Sequence, residues 1–194
     1  GQCRHVIASD IAEGPCRAAA ETRDRYNLFG QMEIRTAPGL KGLRAGEAEA
    51  VVITGMGGAT IVSILEEDPE IAATVETFVL QPMNAANLLR RWLVQHGYRI
   101  ADEALCKENG HIYVIIKVIH TEKKQKLSAI EEELGPCIME KKPALWQEFI
   151  QEKSEHYRRL LRQMEVSSAA MNSDKYKDMK NMLVKVDALI NKSI

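Results

Sequence analysis

Over the first 120 residues, short apolar runs of strand length alternate with segments whose apolar residues recur at helical spacing. The runs that predict strands lie at residues 5–9, 32–36, 51–53 and 77–80. The segments that predict helices lie at residues 10–27, 59–67 and 84–97, with Asn84 as the predicted cap of the last. Two further predicted strands, 98–106 and 112–118, are separated by Glu108-Asn109-Gly110, and Asn-Gly is typical of a hairpin turn. The order predicts an α/β fold with a mostly parallel sheet and an antiparallel edge hairpin.

The pattern changes at about Thr121, where strand-like runs stop and charge-rich segments begin. From Pro143 onwards a long helix is predicted, with near-heptad positions at Leu145, Phe149, His156, Leu160 and Met164. A second helix follows the turn at 172–174, with one apolar face formed by Tyr176, Met179, Met182, Leu183, Val186, Leu189 and Ile190. Two antiparallel amphipathic helices predict a helical hairpin or short coiled coil. We therefore expect an α/β domain over residues 1–121 and a helical domain over 122–194.

Composition is that of a globular chain. With 194 residues and 45% hydrophobic content, the chain is long enough for one ordinary domain plus an appendage. The formal net charge of -1 gives no global basic signature, although a local basic patch is enough to bind nucleic acid. No apolar run approaches the roughly 20 residues of a membrane span, so no membrane partner is expected.

The cysteines and histidines form no metal-ligand constellation. The four cysteines are scattered without a CxxC motif, at Cys3, Cys16, Cys106 and Cys137. This distribution favours a reducing, cytoplasmic compartment and argues against a metal site.

The central motif is Gly55-Met56-Gly57-Gly58, between the predicted strand 51–53 and the helix 59–67. The strand is β-branched on both alternating faces, which predicts that both faces are buried in a parallel sheet. Residues without a Cβ allow a sharp turn and let a ligand lie against the backbone. A strand, a glycine turn and a helix place a ligand at the carboxyl ends of the strands in α/β folds. The alternative is a tight turn without chemistry, because short glycine motifs are weak evidence.

Asp10 occupies a comparable position, at the end of the strand 5–9 and before the next helix. A carboxylate there accepts two hydroxyl hydrogen bonds and suits the ribose of a nucleotide. The alternative role is a simple N-cap of the helix.

Four segments in this order resemble the bacterial tRNA adenine-N1 methyltransferases of the TrmK type. They are Asp10-Ile11 with Glu13-Gly14-Pro15, Ile53-Thr54-Gly55-Met56-Gly57-Gly58, Leu80-Gln81-Pro82 and Leu89-Arg90-Arg91-Trp92-Leu93. The resemblance covers nearly the whole chain and implies a Rossmann-like class I methyltransferase sheet followed by a C-terminal coiled coil. It also implies S-adenosylmethionine as methyl donor and N1 of adenine 22 in the tRNA D-loop as target.

The resemblance also implies roles for individual residues. Asp10 would hold the donor's ribose and Ile11 would pack on its adenine, whereas Gln81 and Pro82 would lie beside the pocket. The catalytic wall would be Gly55, Met56, Gly57 and Gly58. At the donor's adenine the family usually has Gly-Asp-Gly-Leu, whereas this chain has Ala37-Pro38-Gly39-Leu40. Losing that acidic acceptor removes about 1 kcal/mol of net binding.

A second departure concerns the centre of the sheet. The family's first strand and its glycine-rich acidic loop, with a catalytic acidic residue, have no counterpart in these residues. In the fold that strand lies between the strands ending at Asp10 and at Gly55. We therefore expect a sheet that is interrupted or re-paired at its centre, with unpaired strand edges.

Four cations on the long C-terminal helix are candidates for contact with tRNA phosphates: Lys153, Arg158, Arg159 and Arg162. Four glutamates share that helix, so a solvated helix with ion pairs between residues four apart is the alternative interpretation. The sequence leaves the oligomeric state open, with a monomer favoured.

Two other function classes are compatible with the sequence. One is a non-catalytic tRNA-binding or scaffold protein that retains the fold but has lost the donor site, which the missing first loop and the replacement at Pro38 favour. The other is a Rossmann oxidoreductase, against which the absence of a GxGxxG motif from the sequence argues.

Overall fold

The computed structural model describes residues 3–121 and 123–192. The strands are β1 Val6–Asp10, β2 Met32–Thr36, β3 Ala50–Met56, β4 Thr77–Pro82, β5 Tyr98–Glu108 and β6 His111–His120. The helices are α1 Glu13–Arg25, α2 Gly58–Glu67, α3 Pro69–Ala72, α4 Ala86–Gln95, α5 Ala129–Leu134, α6 Pro136–Lys141, α7 Trp146–Met164, α8 Ser168–Met171 and α9 Asp174–Asn191. The predicted α/β order is confirmed. The division into two domains stays a prediction, and its boundary residue 122 lies outside the described residues.

The strands form two separate sheets. In the first, β1 pairs in parallel with β2, from Val6 opposite Met32 to Asp10 opposite Thr36. In the second, the order is β3-β4-β6-β5, with β3 and β4 parallel and the other pairs antiparallel. Within the described residues no ladder joins β1 to β3. The expected interruption at the centre of the sheet is therefore confirmed.

The central strand β3 differs from its prediction in two ways. It continues through Gly55 to Met56, so half of the predicted glycine turn belongs to the strand. The expectation that both of its faces are buried is wrong, because Ile53 is 7% exposed whereas Val52 is 65% exposed. β3 is an edge strand of its sheet, and α2 packs on only one of its faces.

The hairpin of β5 and β6 confirms its sequence signal. Asn109 and Gly110 have φ angles of 50° and 81°, so both central residues of the turn are left-handed. Such a turn matches the right-handed twist of the flanking strands, which is why Asn-Gly favours it.

The core lies between the four-stranded sheet and α2 and α4. Phe78 and Leu80 of β4 are fully buried there, together with Ile61 and Leu89 of the two helices. The same apolar cluster continues into the C-terminal helices through Leu134, Ile138, Phe149, Ile150 and Val186. The C-terminal helices thus share the core of the sheet.

The predicted helical hairpin is confirmed as α7 packed against α9. Contacts run from Glu165 with Tyr176 to Ser154 with Asp187, so the two helices are antiparallel. The near-heptad position at His156 does not face the core, because His156 is exposed and Ser154 is buried instead. Ser154 is tolerated there because its hydroxyl donates to Asp187 at 2.7 Å.

The short helices α5, α6 and α8 are not among the predicted elements. The start of α5 carries a capping box, in which Ser128 and Glu131 satisfy each other's backbone N–H groups. This Ser-x-x-Glu signal was available in the sequence and marks the beginning of the helical region.

A buried ion pair joins the sheet side of the molecule to the C-terminal helices. Arg90 of α4 and Glu103 of β5 meet at 2.7 Å, and both side chains are 0% exposed. Arg90 also donates to the carbonyls of Glu132 and Glu133 at the end of α5. Glu103 accepts from the N–H of Cys137 in α6. One ion pair therefore caps the end of one helix and the start of the next.

Candidate functional site

The carboxyl ends of β3 and β4 lie side by side and form the centre of the candidate site. The two parallel strands remain in register until Thr54, and the register shifts before Met56. The extra residue is Gly55, whose φ of 74° is left-handed and whose N–H donates to Oε1 of Gln81 at 2.9 Å. A left-handed residue in a bulge is typically glycine, since the bulge re-aims the strand at its end.

Two backbone hydrogen bonds join the loop after β3 to the loop after β4. The N–H of Met83 donates to the carbonyl of Met56 at 2.8 Å, and the N–H of Gly58 donates to the carbonyl of Asn84 at 3.0 Å. A Cβ at Gly58 would lie 2.5 Å from the carbonyl oxygen of Ala85. Position 58 therefore requires glycine, because any side chain would force the loops apart.

Asn84 differs from its predicted role as the cap of α4. The N-cap is Ala85, which has a left-handed φ of 50°, and no side chain caps this helix. Asn84 instead lies over Gly57, where an added Cβ would come within 3.0 Å of its Oδ1. A non-glycine residue in the left-handed region costs on the order of 1–3 kcal/mol and is typical of functional sites.

Asp10 and Ala37 meet at the ends of β1 and β2. The N–H of Ala37 donates to the carbonyl of Asp10 at 2.9 Å. One carboxylate oxygen of Asp10 accepts from the N–H of Ala12 at 2.8 Å, and Ala12, not Asp10, is the N-cap of α1. The other oxygen has no partner among the described residues, and neighbouring Ile11 is 72% exposed.

The loop after β2 carries Pro38 and is fixed at both ends. Leu40, in a 3-10 turn over Gly39–Gly42, is 2% exposed and belongs to the core beside α2. At the other end Arg35 donates to the carbonyl of Gly42 and pairs with Glu47 at 2.7 Å. The hydrogen bond from Arg35 lowers the pKa of Glu47 to about 2. Pro38 itself is exposed.

The candidate donor residues thus form two groups. Asp10, Ile11 and the 37–38 segment lie at the β1–β2 edge, whereas Gln81 and Pro82 lie with the glycine motif at the β3–β4 edge. An open carboxylate oxygen beside an exposed aliphatic side chain fits a ribose diol next to a flat base. The residues present therefore fit a nucleoside-containing donor. Within the described residues there is no cluster of three or more side chains suited to a metal ion.

The four candidate RNA-binding cations differ in their surroundings. Lys153 pairs with Glu133 at 2.7 Å, and Arg158 pairs with Asp187 of α9 at 2.6 Å. Arg159 contacts Nδ1 of His156 at 3.1 Å. Arg162 is exposed and makes no hydrogen bond or ion pair with the described residues. Two of the four thus help to hold the helices together.

Sequence reasoning missed Asn84 as a site residue and Arg90 as a buried ion-pair partner. Asn84 looked like an ordinary helix cap from its position in the chain. The signal for Arg90 was its place between Leu89 and Leu93, two core positions of the same apolar helix face.

A family model described as tRNA (adenine(22)-N(1))-methyltransferase matches residues 1–188. The chain is 34% identical over 111 residues to the tRNA (adenine(22)-N(1))-methyltransferase of Bacillus subtilis (strain 168). That alignment covers 57% of this chain and 47% of the relative. The chain therefore spans about half the length of the curated relatives it matches.

Solved structures with the same fold include two streptococcal proteins. A Streptococcus agalactiae protein in the NADB-Rossmann superfamily has a TM-score of 0.85 and 25% identity, over 97% of this chain and 80% of that one. Streptococcus pneumoniae Sp1610, a putative tRNA (m1A22) methyltransferase in complex with S-adenosyl-L-methionine, has a TM-score of 0.79 and 30% identity, over 93% and 81%. The Rossmann-like fold is therefore confirmed. Across the described ranges, no helix is long and apolar enough to cross a membrane.

Proposed function

Because the chain belongs to the tRNA (adenine(22)-N(1))-methyltransferase family, we propose that it methylates N1 of adenine 22 in bacterial tRNA, with S-adenosylmethionine as donor. Relatives named for this activity and a similar structure solved with S-adenosyl-L-methionine support the proposal. The observation in this chain that carries it is the close junction of Gly55–Gly58 with the loop after β4. At the end of β1, one carboxylate oxygen of Asp10 is free to accept further hydrogen bonds.

Asp10 and Ile11 would hold the nucleoside part of the donor. The unpartnered oxygen of Asp10 accepts hydrogen bonds from ribose hydroxyls, and the exposed side chain of Ile11 covers an adenine face. The 37–38 segment borders the same base, and Pro38 offers it no side-chain acceptor. S-adenosylmethionine supplies a sulfonium methyl group, whose transfer to N1 leaves the electron pair of the broken bond on sulfur and the positive charge on the base.

The catalytic wall of Gly55, Met56, Gly57 and Gly58 would border the target adenine. N1 is a weak nucleophile with its lone pair in the ring plane, so the protein acts mainly by aligning it and by accepting the charge that develops. Space for a flat base against the backbone lies at Gly55, where nothing comes within 4 Å of an added Cβ. Gln81 holds Gly55 by a hydrogen bond, and the neighbouring Pro82 is buried. The base must first leave its stack to enter this space.

The C-terminal helices would contact the body of the tRNA. Arg162 is exposed and without an intramolecular partner in the described part of the chain, so it suits a phosphate contact. Arg159 lies one turn away on α7. Lys153 and Arg158 add positive charge on the same helix, but they also pair with acidic side chains of α5 and α9. A cytoplasmic location follows from the proposed substrate.

The test combines donor binding with product analysis. S-adenosylhomocysteine is titrated into the protein by calorimetry, and unmodified tRNA is incubated with S-adenosylmethionine and digested for mass spectrometry. We expect binding and one N1-methyladenosine per tRNA, which disappears when adenine 22 is replaced by guanine. Asp10→Asn should weaken donor binding, whereas Asp24→Asn, an exposed acidic residue of α1, should not. Methylation at another nucleotide, or none, would contradict the proposal.

A further inference from the structure

Asn84 has a side chain whose chemistry the fold does not use. It is exposed, and its amide makes no hydrogen bond with the described residues. It caps no helix, because the N-cap of α4 is Ala85 and that cap has no side-chain partner. Most polar side chains at the start of a helix are explained by capping, so an amide without a hydrogen-bond partner at this position requires another explanation.

The main chain that carries this amide is held in place. The carbonyl of Asn84 accepts from Gly58 at 3.0 Å, and the left-handed Ala85 follows directly. The side chain consequently lies over Gly57, where a Cβ would come within 3.0 Å of Oδ1. A strained residue beside an unused polar side chain is typical of a binding site.

Two apolar side chains lie next to this amide. Met56 is 37% exposed and Met83 is 52% exposed, and their backbones are joined by a hydrogen bond of 2.8 Å. Gln81 donates to the sulfur of Met83, which keeps that side chain at the site. Polarizable thioethers pack well against aromatic rings. The surface thus offers contact for a flat base, with one amide available for its edge.

We propose that Asn84 recognises the target adenine through N6 and N7, its Oδ1 accepting from the amino group and its Nδ2 donating to N7. An amide is the side chain that pairs with this edge of adenine in two hydrogen bonds. Guanine presents two acceptors, O6 and N7, on the same edge and therefore mismatches the amide. The contact leaves N1 unobstructed, as methylation there requires.

The same contact also favours the reaction. As N1 gains the methyl group, positive charge spreads to the amino group, and its hydrogen bond to Oδ1 strengthens. The inference rests on the proposed function and adds the residue that selects the base. The other amide at the site, that of Gln81, is not available for this contact, because it already bonds to Gly55 and Met83.

The test pairs an Asn84 variant with an altered base. Transcripts carry adenine or 7-deazaadenine, which lacks the N7 acceptor, at nucleotide 22. Both kcat/KM and the Kd of the tRNA in the presence of S-adenosylhomocysteine are measured for wild type and Asn84→Ala. Wild type should prefer adenine by roughly 3- to 30-fold, the effect of one buried hydrogen bond. Asn84→Ala should lose roughly 5- to 150-fold on adenine and show no preference between the bases.

The matched control is Asn87→Ala, three residues further along, whose amide bonds only to the adjacent backbone N–H of Leu88. This variant should keep the preference for adenine, and all three proteins should bind S-adenosylhomocysteine equally. A preference that survives in Asn84→Ala would overturn this inference and leave the proposed function intact. A wild type that methylates no adenine in the unmodified transcript would overturn both.

Discussion

The buried pair of Arg90 and Glu103 gives the most quantitative prediction. Both side chains are 0% exposed, so replacing either one leaves the other as an uncompensated charge in the core. Such a loss typically costs 3–5 kcal/mol, against a total stability on the order of 5–15 kcal/mol. We therefore expect Arg90→Met and Glu103→Leu each to lower the free energy of unfolding by about 4 kcal/mol.

The double variant separates the charge from the hydrogen bonds around it. With both charges gone, the cost of an uncompensated charge disappears, and apolar replacements of a buried pair are often neutral. Three bonds are still lost, those from Arg90 to Glu132 and Glu133 and that from Cys137 to Glu103. At roughly 1 kcal/mol each, they set the expected loss of the double variant at about 3 kcal/mol.

Urea unfolding followed by circular dichroism measures all three variants. With a slope of about 2 kcal/mol/M, each single variant should shift the midpoint down by roughly 2 M, and the double variant by about 1.5 M. The exposed pair of Lys41 and Glu67, at 3.3 Å, is the control, and Lys41→Met should leave the midpoint nearly unchanged. Additive losses in the double variant would refute the argument that an unpaired buried charge dominates.

Three further predictions concern the loops and the helical hairpin. Gly58→Ala should lower the melting temperature, because its Cβ would lie 2.5 Å from a carbonyl oxygen, whereas Gly14→Ala, with nothing within 4 Å, should not. Burial raises the pKa of Glu133, but the ion pair and hydrogen bond with Lys153 outweigh it and leave the pKa below the ordinary value of a glutamate. The ion pair of Glu133 with Lys153 stabilises the fold above about pH 4.5, and this stabilisation is lost as the pH falls through the folded-state pKa of Glu133. The difference in unfolding free energy between wild type and Lys153→Met should therefore become smaller on acidification. Arg162→Ala should weaken tRNA binding and reduce its salt slope by about 1, without a change in melting temperature.

The order of strands and helices could be predicted from the sequence because each element carries its own local signal. The β-branched run at 51–53 and the Asn109-Gly110 turn depend on neighbouring residues alone. The exposure of Val52 could not be predicted in this way, since it depends on which element covers each face of the sheet. Periodicity equally could not show that Ser154 rather than His156 faces α9, because a hydroxyl there is acceptable only with Asp187 opposite.

The candidate site could be predicted at positions where the backbone conformation requires one particular residue type. Gly55 and Gly58 are explained by a left-handed φ and by a close approach of two loops. The function of Asn84 was hidden, because the same residue type before a helix normally indicates a cap. Distinguishing the two roles requires the dihedral angles of Ala85, which the sequence does not contain.

The position of Arg90 connects the C-terminal helices to the candidate site. α4 begins directly after Asn84 and Ala85, and one turn later Arg90 holds the end of α5. Gly135 allows this contact, since its φ is 92° and a Cβ there would lie 2.5 Å from Glu103 and 2.8 Å from Arg90. Gly135, about 50 residues after Asn84 in the sequence, therefore determines how closely the C-terminal helices approach α4. The loop that carries Asn84 leads directly into α4. The variants that test the ion pair therefore also test whether the C-terminal helices hold this loop in position.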